Sequence, residues 1–150
     1  MPIAAVVARV IGDSPPTEGT DGPPVGFFPI DESDRLIKTV GRILHGLVRE
    51  EHVAPNQIVV LTQDKEDRDD LRSARLAGLP PIALENAGHG VVVETIHRFK
   101  GLESDVVLVV LRSVDTDYEK ALAYIGMSRA KAKLVVLTSE WIAGAIGLRN

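Results

Sequence analysis

Cysteine is absent from the 150 residues, which excludes disulfides and thiolate metal sites and accords with a reducing, cytoplasmic setting. No apolar run approaches the roughly 18 residues that a membrane helix requires, so no membrane partner is expected. The opening MPIAAVVARVIGDSPP lacks a basic n-region and carries Arg9 inside its apolar stretch, which argues against a signal peptide. An excess of positive charge is missing as well. The formal net charge of -4 argues against broad, nonspecific nucleic-acid binding but leaves room for one local basic groove. What is present is the profile of a globular domain, 45% hydrophobic and 25% charged, sized for one real core.

Along the chain, residues 1–24 are expected to form an N-terminal strand followed by a mobile loop, GDSPPTEGTDGPP, rich in Gly, Pro and acidic residues. Residues 25–150 are expected to form the domain proper. VGFFPI reads as a short strand, and Asp31 to Asp34 offer helix-capping side chains. Leu36, Ile37, Val40, Ile43, Leu44, Leu47 and Val48 follow the i, i+3, i+4, i+7 rule, which predicts a helix from about Ser33 to Glu51. QIVVLT reads as a strand covered on both faces. DKEDRDDLRSARLAG reads as a solvent-facing helix with Gly78 as its C-cap. PPIAL is a further strand and ENAGHG a tight turn. VVVET, DVVLVVLR, a helix near Tyr118 to Ala130, the strand KLVVLTS and a helix around Trp141 to Gly147 complete the order. Apolar strands alternating with helices predict an α/β sandwich with a mainly parallel sheet, and such sheets bind ligands at the carboxyl ends of their strands.

Two polar clusters interrupt this pattern. TIHRFKGLE follows the strand VVVET. Gly101 permits a bend or a close approach to a ligand, Arg98 and Lys100 can contact phosphates, Thr95 and His97 can donate hydrogen bonds, and Glu103 can accept one from a sugar hydroxyl. The same residues also suit a plain turn, with solvated cations, a packed histidine and a capping glutamate. In AYIGMSRAKAKLVVL, Tyr124, Ile125 and Met127 suit a core, and Arg129 stands where a helix gives way to a strand. An arginine there either neutralises the carbonyl end of its helix or reaches a phosphate with its planar fork.

Taken together, TIHRFKGLESDVVLV, a helix and AYIGMSRAKAKLVVL resemble the last two helicase motifs of the UvrD/Rep group of superfamily 1 DNA helicases. That group carries T-x-H-x-x-K-G-L-E before an apolar strand and Y-V-(A/G)-x-(T/S)-R-A after a short helix. The resemblance is specific over residues 91–138 and fainter over GPPVGFFPIDESDRLIKTVGRIL and QIVVLTQDKEDRDDLRS. It implies the second RecA-like motor domain of an ATP-dependent DNA helicase, a three-layer α/β sandwich of the P-loop NTPase type. By that resemblance Glu103 is the ribose contact and Arg129 the arginine finger and catalytic residue. Gly101 joins these two in the ATP site, and Thr95, His97 and Lys100 lie between the single-stranded DNA track and the nucleotide. The implied cofactor is ATP with Mg2+, bound mainly by an N-terminal RecA-like domain of the same polypeptide. No metal ligands are assigned to this chain.

The departures are informative. The chain has no G-x-x-x-x-G-K-[ST] phosphate loop of its own, and the acidic magnesium motif and glutamine motif of a first motor domain are missing. The Tyr-Arg motif is not visible. ENAGHG stands where the UvrD group inserts a whole subdomain, and Gln63 stands where many members carry a basic DNA contact. The expectation is a piece of a longer chain that does not turn over ATP by itself, with a free-standing half motor as the second option. The alternative is a degenerate RecA-like module serving regulation or protein interaction. A response-regulator-like domain is disfavoured, because no acidic pocket follows the first strands.

Overall fold

Runs of valine, isoleucine and leucine occupy the centre of the domain because both faces of its sheet are covered. The computed structural model describes residues 25–30, 35–74, 76 and 90–148. Its strands are β1 (Val25–Pro29), β2 (Ile58–Thr62), β3 (Val92–Thr95), β4 (Ser104–Val110) and β5 (Ala130–Thr138). They form one sheet in the order β1-β5-β4-β2-β3, and every pairing in it is parallel. Parallel neighbours need crossovers. Here they contain α1 (Arg35–His45), α2 (Lys65–Arg72), α3 (Ile96–Phe99) and α4 (Asp117–Met127), while α5 (Glu140–Ala145) follows β5.

Successive strand residues point to opposite faces, so each valine-rich run feeds two separate cores. Val60, Leu108, Val110, Val135 and Leu137 pack against Leu36, Val40 and Leu44 of α1 and Leu71 of α2. Val59, Leu61, Val107, Val109 and Val136 pack against Ile96 and Phe99 of α3, Leu122 and Met127 of α4, and Ile142 of α5. The result is the three-layer α/β sandwich expected of a RecA-like domain.

Element ends differ from the sequence expectations for local reasons. The first helix leaves α-geometry after His45 and ends in a single π turn, Gly46–Glu50, closed by Glu51 N–H on the Gly46 carbonyl at 3.0 Å. Gly46, a poor helix former, opens that turn, and Leu47 stays in the core. The second helix stops at Arg72, and Ser73 closes its end by donating to the Asp69 carbonyl from both its N–H at 3.1 Å and its hydroxyl at 2.9 Å. α4 ends at Met127, and Ala130, expected in that helix, instead pairs with Ser104 as the first residue of β5. α5 covers Glu140–Ala145 rather than Trp141 to Gly147. The expectations for residues 1–24, for Asp31 to Asp34 as caps, for Gly78 as a C-cap, for the strand PPIAL and for residues 85–89 of the turn lie outside the described residues.

α3 and α4 touch through a glycine. A Cβ on Gly126 would stand 2.9 Å from Ile96 Cδ1 and 3.1 Å from its Cγ1, and Ile96 is fully buried. Gly126→Val is therefore expected to lower stability by about 1–3 kcal/mol through overpacking. An unchanged melting temperature would show that the two helices separate freely.

Candidate functional site

Thr95 closes β3 and caps the next element. Its backbone is extended, its hydroxyl accepts from Arg98 N–H at 3.3 Å, and its side chain is buried. The turn that follows sorts residues by face. Ile96 and Phe99 enter the core, while His97, Arg98 and Lys100 remain at the surface. Leu102 N–H donates to the Phe99 carbonyl at 3.0 Å, and Gly101 takes φ of +87°, a left-handed value that glycine adopts without strain. A Cβ there would meet nothing within 4 Å, so the glycine serves the bend rather than a tight packing contact. Glu103 then stands exposed immediately before β4, without a hydrogen bond or ion pair among the described residues.

The strand register places the two ends of this stretch far apart. Thr62 of β2 is level with both Thr95 and Val110, so Thr95 sits at the carboxyl edge of the sheet. Ser104 begins β4 six positions before Val110, a distance of roughly 20 Å along the strand at 3.3 Å per residue. The carboxyl-edge rule accounts for Thr95 but not for Glu103 or Arg129, which precede their strands and lie at the amino edge. A parallel strand must start where its neighbours start, and residues 96–103 make that crossing.

Arg129 meets Glu103 at the amino edge. Arg129 N–H donates to the Gly126 carbonyl at 3.2 Å, and its own carbonyl accepts from Ser104 N–H at 3.0 Å. Its guanidinium donates to the Ile125 carbonyl from Nε at 3.1 Å, to the Ser128 hydroxyl from Nη2 at 3.1 Å, and to the Leu102 carbonyl from Nη1 at 3.4 Å. It makes no ion pair among the described residues. The charge is thus parked on neutral oxygens beside the residue that precedes Glu103.

The carboxyl edge carries a second charged centre. The fully buried Glu94 carboxylate accepts from Arg72 at 2.8 Å, Arg68 at 3.2 Å and Thr95 N–H at 2.9 Å, and pairs with Arg98 at 3.3 Å. Burial alone would raise its pKa, but the Thr95 N–H and the arginines outweigh that effect and hold it below the usual carboxylate range. Arg98, open to phosphate on the sequence reading, is therefore engaged with Glu94 at its base. Nearby, Arg112 grips Asp67 through Nε at 2.9 Å and Nη2 at 3.2 Å, which fixes α2 against the end of β4. Gln63 is committed to the backbone. Its carbonyl oxygen accepts from the N–H groups of Arg112 and Ser113, and its amide donates to the Ser113 carbonyl at 2.8 Å. The only sequence cues to these contacts were an acid inside a valine strand and arginines on a polar helix.

Among the described residues, no group of three His, Asp or Glu is placed to hold a metal ion, and no helix is long and apolar enough to cross a membrane. An all-parallel sheet between two helical layers, with the stretch of residues 96–103 crossing from one edge to the other, defines a RecA-like α/β fold. Residues 90–137, about a third of the chain, match the model of the UvrD-like helicase C-terminal domain. The crystal structure of the C-terminal domain of a possible DNA helicase from Lactobacillus plantarum WCFS1 superposes with a TM-score of 0.67 at 19% identity, over 91% of this chain and 83% of that one. The Pyrococcus furiosus Hef helicase domain is more distant, with a TM-score of 0.45 at 14% identity, over 69% of this chain and 25% of that one. No curated protein matches the chain.

Proposed function

We propose that this domain is the second motor domain of an ATP-dependent DNA helicase, completing an ATP site held mainly by an N-terminal RecA-like domain and contacting single-stranded DNA. One observation supports this above the others: Glu103 and Arg129 come to the same sheet edge, Glu103 without a hydrogen-bonding partner and Arg129 without an anion among the described residues. A half-buried guanidinium resting on neutral oxygens retains a strong attraction for phosphate. An exposed carboxylate next to it suits the hydroxyls of a ribose. In this reading Glu103 holds the sugar, the Gly101 bend presents it, and Arg129 leaves its carbonyl rests to meet developing negative charge. Mg-ATP, when bound, supplies the phosphoryl group whose transfer drives the motor. The surface of α3 at the other end of the crossing is the candidate contact for the strand.

Glu103→Ala tests the nucleotide half of this reading. In the complete motor, the KM for ATP should rise about ten- to a hundredfold, while kcat changes less, because the lost contact binds ground state and transition state alike. Melting should stay put, since the side chain is exposed. An unchanged KM would remove Glu103 from the site.

A further inference from the structure

Between α3 and α4 lies a cleft of about 150 Å³, lined by His97, Lys100, Tyr118, Ala121, Leu122 and Ile125. We propose that it receives one base of the single strand, stacked on the Tyr118 ring, with Lys100 and His97 on the adjoining phosphate. This inference rests on the DNA-binding half of the reading above and adds a residue and a mode of contact to it.

Four observations carry it. Tyr118 is 67% exposed although it stands in the first turn of α4, so its ring covers no core and burial does not explain it. Beside Tyr118 the lining is apolar, with Ala121, Leu122 and Ile125, and an apolar lining with an aromatic ring suits the π-face of any base. The rim has a cation and an imidazole, and neither Lys100 nor His97 has a side-chain partner among the described residues. The acidic groups nearby are mostly occupied. Glu119 turns back to accept from Ser113 Oγ at 2.8 Å, Thr116 N–H at 3.0 Å and Asp115 N–H at 3.1 Å, which leaves Asp117 as the exposed acid of that turn. Glu119 is thereby held toward the start of α4, and Lys100 and His97 stand on the rim without an acidic partner among the described residues.

The cleft also adjoins the nucleotide end. Ile125, part of its apolar lining, supplies the carbonyl that holds Arg129 Nε at 3.1 Å. A base seated between α3 and α4 would press on the last turns of the helix that carries the finger.

The test is a fluorescence-anisotropy titration of the 150-residue chain with an oligothymidylate of about 12 nucleotides, at several salt concentrations. Tyr118→Ala should weaken binding about 5- to 150-fold, and Tyr118→Trp should retain it, with melting unchanged in both. The salt slope should not move with Tyr118→Ala, because no charge is lost, whereas Lys100→Ala should flatten it by about 0.7. If Tyr118→Ala binds like the parent while Lys100→Ala flattens the slope, the stacking platform is wrong and the DNA reading stands. If the parent chain does not bind, or neither variant differs from it, the DNA reading and the platform fall together. Glu103→Ala still tests the ATP site by itself.

Discussion

Arg129→Ala should cut ATP turnover by the complete motor about 10³- to 10⁵-fold while leaving the affinity for ATP little changed. The size of the effect follows from when the contact is made. A guanidinium that approaches phosphate as charge develops stabilises the transition state and not the ground state, so kcat carries the loss. The geometry of the domain fits such a residue: Arg129 has three neutral acceptors and no carboxylate among the described residues, and its longest contact, 3.4 Å to the Leu102 carbonyl, points at the stretch that ends in Glu103. Arg129→Lys should rescue poorly, since an ammonium cannot reproduce a planar fork. The competing account, in which Arg129 only closes the end of α4, predicts a stability loss of about 1 kcal/mol with near-normal hydrolysis. Steady-state ATPase rates measured beside thermal melts separate the two. Near-normal turnover in Arg129→Ala would sink the finger assignment.

Glu94→Ala should destabilise the chain by about 3 kcal/mol, the low end for a broken buried pair, because Arg72 loses its anion while Arg68 keeps Asp69 at 3.0 Å. Arg68 and Arg72 have side chains only 13% and 25% exposed, and both converge on a carboxylate with no exposure at all. Arg98, nearly half exposed, can turn to solvent and should contribute least. The same group sets an acid limit. Its pKa in the folded state is depressed, so its contribution is complete above the ordinary glutamate value of about 4.3 and is lost as pH falls through the lower folded value. Urea unfolding at neutral pH and again near pH 3 checks both statements. If parent and variant melt alike at neutral pH, the cluster is not holding α2 to the sheet. If the gap between them does not shrink in acid, Glu94 is not ionised in the fold.

The strands were legible because both faces of a parallel sheet are covered, which leaves the unbroken valine and isoleucine runs of β2, β4 and β5 little alternative. α1 was legible from its apolar stripe. α3 was not, because four residues cannot show a 3.6 period, and only the Thr95 cap announces it. The contacts of Glu94 were hidden for another reason. Arg68 and Arg72 lie 26 and 22 positions away, and nothing local to VVVET points to them. Gln63 shows the limit of reading a site by substitution. Its lack of charge was visible, but its grip on the Arg112 and Ser113 backbone depends on β2 and β4 ending side by side. Glu103 and Arg129 could have been placed correctly from order alone, since each precedes its strand.

The crossing of residues 96–103 also separates two electric fields. The arginines gathered on Glu94 stand at the carboxyl edge, level with Val109, and Arg129 stands beside Ser104 at the other. Those rows are more than about 15 Å apart along the strands alone, and the Debye length at physiological ionic strength is about 8 Å. A charge arriving at the solvent-facing surface of one edge is thus largely screened from exposed groups at the other. Between exposed groups at the two edges, the direct mechanical link is solid contact, Ile96 against the bare backbone of Gly126 in the last turns of α4.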